Sequence, residues 1–340
     1  MSQLRAAILG YGRNGSTMHA GGIEGNPNLQ MSAVCDIDPA RRAQAQARFG
    51  CPVYENYHEM LQKEALDFVA IVTRSAQHCQ MTCDCLRAGA NVLVTKPWAV
   101  NAAEARQMIG TAAETGRQLL PWLPARWSPD LQRLKRLATE KEIGTIFMIR
   151  RSVTCWAIRN DWQIEKRHGG GYLLNWGPHI IEPPILLADS KVKTIYAQMR
   201  QVINPGDTED VFTALMTLEN GTIILAEHVI AAEEMPDWFI QGDSGTCVIR
   251  GRNLTLYKNT PKRPDDPTQY GDMVSKKEKM VEETLVGNPY GDTNEVYLDI
   301  AAALTSKKKY PVAPSDALEL SEIMDGIRRS SEEDRVVSFH

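Results

Sequence analysis

The chain has no apolar run approaching the roughly 18 residues that a membrane-crossing helix needs. Its opening run, Ala6-Ala7-Ile8-Leu9, is too short for the core of a secretory signal. A surplus of positive charge is absent as well. The 38 Lys and Arg against 42 Asp and Glu leave a formal net charge of −4, which removes the electrostatic reason to expect nucleic acid or an anionic membrane as partner. A small-molecule ligand is the default. Cysteine is sparse and odd in number, seven in 340 residues, and sits in apolar settings such as Val34-Cys35 and Thr246-Cys247-Val248. That suits reduced thiols in a cytoplasmic protein better than a disulfide framework. Cys79, Cys83 and Cys85 cluster, but Cys85 leaves the helical face of the other two. No Cys-x-x-Cys pair or second nearby histidine completes a tetrahedral site, so no metal is expected.

A chain of this length is expected to hold two domains. From residue 4 to about 121, short β-rich runs (Leu4–Leu9, Gln30–Cys35, Phe68–Val72, Asn91–Val94, Gln118–Leu120) alternate with helical segments near 13–25, 39–48, 57–63, 77–88 and 101–115. This is the pattern of an α/β, doubly wound parallel sheet over residues 1–121. After a helix at about 129–139, long runs separated by turns predict a C-terminal α+β domain, residues 122–340, with a large, mostly antiparallel open sheet. Its strands are expected at Ile143–Thr154, Val192–Met199, Val211–Leu218, Thr222–Val229, Trp238–Gln241 and Thr246–Arg250, with Asn220-Gly221 as a type I′ hairpin turn. Residues 258–292 read as a surface excursion with one short helix near 275–284. Helices near 293–306 and 316–329, the second capped by Ser315 or Asp316, close the chain. An open antiparallel sheet needs its face covered, so a homodimer or homotetramer through that sheet is expected.

Gly10-Tyr11-Gly12-Arg13-Asn14-Gly15 stands directly after the first strand and before a helical segment. In that context the first glycine permits the tight turn, the second admits a pyrophosphate, and the third lets helix and strand pack, while N–H groups at the helix start face the phosphate charge. Asp36 ends the second strand, where a carboxylate binds ribose hydroxyls and repels a 2′-phosphate; NAD is favoured over NADP. Arg13, Arg41 and Arg42 could in principle meet a phosphate, but a solvated helix face is the favoured reading of them. Asp38 before Pro39 reads as a helix cap.

Gly10–Gly15, Asp36, Thr73-Arg74-Ser75-Ala76-Gln77-His78, Thr95-Lys96-Pro97, Gly169-Gly170-Gly171 and Asn175-Trp176-Gly177-Pro178-His179, in this order, resemble the glucose–fructose oxidoreductase / inositol dehydrogenase / MocA family of NAD(P)-dependent sugar and cyclitol oxidoreductases. The resemblance implies that Thr73, His78 and Lys96 line the cofactor and that Lys96, His179 and Asn175 make up the catalytic set. It also implies that Asn175 replaces an aspartate and Thr95 a glutamate. Arg126 and Trp122 are substrate-side positions by the same resemblance, and Trp127 has an equal claim to the core. An ammonium beside a ring alcohol stabilises the negative charge that develops on oxygen as hydride leaves, and His179 is the candidate acid/base, its ring oriented by Glu182 one turn later. Pro178 suggests a helix starting near Trp176, with Asn175 as its N-cap or as a substrate contact. Trp156, Arg159 and Trp162 offer flat faces and hydrogen bonds to a sugar ring, or alternatively bury at a domain or subunit contact.

The expected activity is hydride transfer between NAD and a secondary alcohol or ketone of a sugar, glycoside or cyclitol. Two alternatives stay open: a redox-neutral sugar-modifying enzyme with tightly held NAD, and a catalytically lapsed nucleotide-binding regulatory protein, motivated by the loss of acid at Thr95 and Asn175.

Overall fold

The computed structural model describes residues 3–261, 268 and 275–339. Two compact units emerge. The first comprises Met1–Pro124, Asp161–Pro178 and Gly291–Asp325, the second Ala125–Asn160, His179–Tyr290 and Gly326–His340, so the chain passes between them repeatedly.

The first unit holds a six-stranded, wholly parallel sheet: β1 (Leu4–Leu9), β2 (Leu29–Cys35), β3 (Val53–Tyr54), β4 (Phe68–Ile71), β5 (Asn91–Val94) and β6 (Leu119–Pro121), in the order β3-β2-β1-β4-β5-β6. The central strands are almost completely buried, because helices cover both faces of a parallel sheet. Local chemistry sets the helix ends. Asp38 caps Pro39–Phe49 by accepting from Ala40 N–H at 2.9 Å, with Pro39 in the first turn, and Asn101 caps Ala102–Thr115 by accepting from Glu104 N–H at 2.9 Å. Late residues complete this core. Tyr297, on the helix Thr293–Leu304, sets its ring edge against Phe68 and its hydroxyl 2.9 Å from His19 Nδ1, and Trp98 Nε1 donates to Ser321 Oγ at 2.8 Å. Trp122, expected on the substrate side, sets its ring 4.7 Å from that of His19 at a tilt of 58° and is 4% exposed; it is a core residue.

The second unit is built on nine strands: β7 (Ile146–Thr154), β8 (Val192–Arg200), β9 (Val211–Leu218), β10 (Ile223–Val229), β11 (Trp238–Gly242), β12 (Gly245–Arg250), β13 (Asn253–Pro261), β14 (Ser275–Thr284) and β15 (Val337–Ser338). Their order is β14-β13-β12-β11-β7-β10-β9-β8-β15, antiparallel throughout except for the central β7–β10 pair. One face packs on the helix Pro129–Thr139 and its neighbours; the other carries Tyr196, Leu215 and Tyr257 exposed. Two local expectations are overturned here. The segment 275–284 is an edge strand paired with β13, not a helix. The loop after β9 is a three-residue turn, not type I′, because Gly221 N–H donates to Leu218 O at 3.0 Å, Leu218 N–H donates to Thr222 O at 2.9 Å, and only Gly221 of the loop has positive φ. The remainder of the expected surface excursion, 262–267 and 269–274, lies outside the described residues. The last long helix starts at Pro314, which puts Ser315 and Asp316 inside its first turn, not at its cap. Among the described residues no helix is long and apolar enough to cross a membrane, no cluster of three His, Cys, Asp or Glu is placed to hold a metal, and all seven cysteines are free.

Candidate active site

In the first unit the turn after β1 is held tightly. Gly10 has φ +90° and its N–H donates to Cys35 O at 2.8 Å; a Cβ there would lie 2.5 Å from Val72 O. A Cβ on Gly15 would lie 2.0 Å from Gly10 O, so the following helical segment starts as close to the strand as backbone allows. Gly12 differs, since a Cβ there would meet nothing nearer than Arg41 Nη1 at 3.5 Å. Space, not protein contact, accounts for a glycine at that position, which is what a pyrophosphate against the backbone requires. Arg13 and Asn14 are exposed at the mouth of this turn.

Asp36 is buried at the end of β2. Its Oδ2 accepts from Tyr11 N–H at 2.7 Å and its Oδ1 from Asp38 N–H at 2.9 Å, so the carboxylate ties the glycine turn to the second strand. The Arg41 guanidinium stands 3.6 Å from Asp36 Oδ2 and 3.5 Å from Asp38 Oδ2, whereas Arg42 is turned onto the carbonyls of Asp36 and Ile37. Each Asp36 oxygen keeps a lone pair for a ribose hydroxyl. The residues present therefore fit a dinucleotide, which would supply a hydride acceptor or donor.

Beyond β4, Thr73 packs its methyl group against Gly10. His78, expected to line the cofactor, is instead fully buried. Its Nδ1 lies 2.8 Å from Pro97 O and its Nε2 3.2 Å from Thr73 O, and burial pushes its pKa below the usual histidine range. It braces the Thr73 turn against the Lys96-Pro97 turn. Thr95 Oγ1 donates to Ile71 O at 2.9 Å, a link between strand ends.

The side chain of Lys96, half-buried, donates from Nζ to Asn175 Oδ1 at 2.7 Å and to Asn175 O at 2.9 Å. The helix bearing Asn175 spans Tyr172–Ile180, so the expected start near Trp176 is overturned. Asn175 is no N-cap, because its own N–H makes a helical bond to Gly171 O at 2.9 Å. The glycines before this helix permit close approach: a Cβ on Gly169 would lie 2.7 Å from Ser75 Cβ, and one on Gly170 2.4 Å from Gln163 O. Trp162 opens a short helical turn capped by Asp161 in the same unit and is half-buried.

In the second unit His179, four residues beyond Asn175 on that helix, is buried and meets the Tyr290 ring edge-on at 5.4 Å. Glu182, expected to orient the His179 ring, is gripped by Arg126. Arg126 holds Glu182 Oε1 through both Nε and Nη2 at 2.8 Å, and both side chains are nearly buried, so Arg126 is an ion-pair partner. Arg159 is fixed through its N–H, 2.5 Å from Asn204 Oδ1, while Trp156 is 66% exposed. Tyr290 and Arg151, which border His179 in a small pocket, were not picked out from the sequence; they come from distant segments and no motif marks them.

A parallel sheet with the strand order above, a glycine turn after its first strand and an acid closing its second define a dinucleotide-binding protein. Residues 4–121 match the family model described as oxidoreductase family, NAD-binding Rossmann fold, and residues 131–248 match the GFO/IDH/MocA C-terminal domain. The chain belongs to the Gfo/Idh/MocA family and is an NAD(P)-dependent oxidoreductase. It is similar to scyllo-inositol 2-dehydrogenase (NADP(+)) of Bacillus subtilis, 23% identical with 98% of this chain and 95% of that protein covered. It is also similar to D-glucoside 3-dehydrogenase of Escherichia coli, 30% identical with 59% of each covered. Among solved structures, an NAD-binding protein from Listeria innocua shares the fold with a TM-score of 0.84 at 24% identity, covering 99% of this chain and 97% of that one.

Proposed function

We propose that the protein transfers a hydride between NAD and a secondary alcohol or ketone of a sugar, glycoside or cyclitol, with Lys96 and His179 handling the alcohol proton. The observation that carries this reading is the Lys96 ammonium fixed at 2.7 Å by a neutral amide. The amide oxygen aims Nζ, which can then donate to, and share a proton with, the substrate oxygen as an alkoxide forms. Relatives named for a cyclitol and a glucoside support the substrate class. The Asp36 charge at the end of β2 supports NAD over NADP. Residues 1–121 bind the cofactor and residues 122–340 supply the substrate pocket in this proposal. Tyr196 and Leu215, adjacent on the open sheet face, are the kind of surface that a homodimer or homotetramer covers. Seven free thiols suit the reducing cytoplasm.

A panel of inositols, methyl glycosides, sugars and sugar acids, each with NAD and with NADP, tests the reading through nicotinamide absorbance. Reduction by at least one polyol with NAD is expected. Turnover without added cofactor, by protein that retains NAD through purification, would move the assignment to a redox-neutral enzyme.

A further inference from the structure

Arg151 lies on β7 within the second unit, 8% exposed, its guanidinium stacked 5.0 Å over the Trp238 ring. Its Nη1 donates to Ser152 O at 2.8 Å and Asp237 O at 2.9 Å, but Nε finds no hydrogen-bond partner among the described residues. A buried N–H left in that state costs about 1–3 kcal/mol, more on a charged group, so a missing oxygen is the ordinary explanation. The pocket that Arg151 lines has that oxygen's complementary chemistry. Asp130, Trp238, His179 and Tyr290 also border it, and Asp130 Oδ2 already accepts from Trp238 Nε1 at 2.9 Å, which orients the carboxylate.

Charge decides which oxygen fits. Asp130 and Asp237 both act on Arg151, Asp237 Oδ1 at 3.7 Å from Nη1, so one cation faces two carboxylates and an incoming anion would meet net negative surroundings. A hydroxyl suffers no such penalty, because its oxygen accepts from a guanidinium N–H while its proton goes to a carboxylate. We propose that this pocket beside His179 is a binding site for one hydroxyl group, held between Arg151 Nε and Asp130, supplied either by an ordered water or by a substrate hydroxyl neighbouring the reacting carbon. The second source rests on the dehydrogenase reading above; the first does not.

Crystals of the protein diffracting to high resolution, without ligand and soaked in scyllo-inositol as probe, test the site. An oxygen within hydrogen-bonding distance of Arg151 Nε is expected in the ligand-free protein. After soaking, density continuous with the inositol ring identifies a substrate hydroxyl, and an unchanged isolated oxygen identifies a water; either supports the site. Arg151→Met, similar in volume without donors, should lose the oxygen, and Tyr290→Phe, which leaves Arg151 in place, should keep it. A pocket empty in both wild-type crystals would overturn the proposal whether or not Arg151→Met folds. A polyol panel without turnover would sink the dehydrogenase reading while leaving an observed water in this site intact.

Discussion

Asn175→Asp changes one atom type at the end of a 2.7 Å hydrogen bond and so isolates what a formal charge does to Lys96. A unit negative charge at that distance attracts the ammonium by about 1.5 kcal/mol at the dielectric of water and by about 6 kcal/mol at an effective dielectric near 20. Lys96 is half-buried, between those limits. One pKa unit corresponds to about 1.4 kcal/mol, and opposite charges at such range move pKa values by roughly one to three units. Alcohol oxidation needs the lysine able to accept a proton, so raising its pKa moves the alkaline rise of kcat/KM to higher pH by about one to three units. The assay is the pH–rate profile in the oxidative direction, wild type against variant, with NAD saturating. Aspartate is isosteric with asparagine and can accept both Lys96 bonds, so the fold should be kept. An unmoved profile in a folded variant would refute Lys96 as a participant in proton transfer.

Lys96→Met and His179→Ala should each lower turnover by about a hundredfold or more, and the double variant by less than the product, with NAD affinity by titration little changed. Asp36→Ser with Ile37→Arg should shift the NAD/NADP affinity ratio toward NADP; an unchanged ratio would place ribose recognition elsewhere. Arg126→Met leaves the nearly buried Glu182 carboxylate without its guanidinium and should destabilise by about 3–5 kcal/mol in urea unfolding, with Glu182→Leu on top recovering most of it. His19, buried against Trp122 and Tyr297, is held down at about 3 from an ordinary 6.5, so the unfolded chain takes up the proton first. Stability from this group is complete above about pH 6.5 and falls by up to about 1.4 kcal/mol per pH unit on acidification toward 3. His19→Gln should flatten that slope.

The first sheet was legible because each of its strands is a short apolar run bounded by turn residues; only β3, two residues long, carries too little pattern to be seen. Lys276, Lys277, Glu278 and Lys279 are good helix formers, yet their segment is β14, where pairing with β13 outweighs propensity. Pro178 misled in the same way. It marks a first turn in most helices, but here it lies well inside Tyr172–Ile180, and Asn175 thereby becomes a partner of Lys96 instead of a cap. Within the site, the glycine turn, Asp36 and Lys96 were readable as motifs. The Asp36 bonds to Tyr11 and Asp38, the Arg126–Glu182 pair and the Arg151–Tyr290 pocket were not, because each depends on which strands and turns the fold makes neighbours.

Single-turnover hydride transfer reads the role of Lys96 with product release removed from the rate. With enzyme in excess over NAD and saturating polyol drawn from the active members of the panel, wild-type protein should form NADH in one burst. Lys96→Met, binding NAD equally well, should form it at least about a hundredfold more slowly. Equal burst rates in the two proteins, or no NADH from any polyol while NAD binds, would contradict the account.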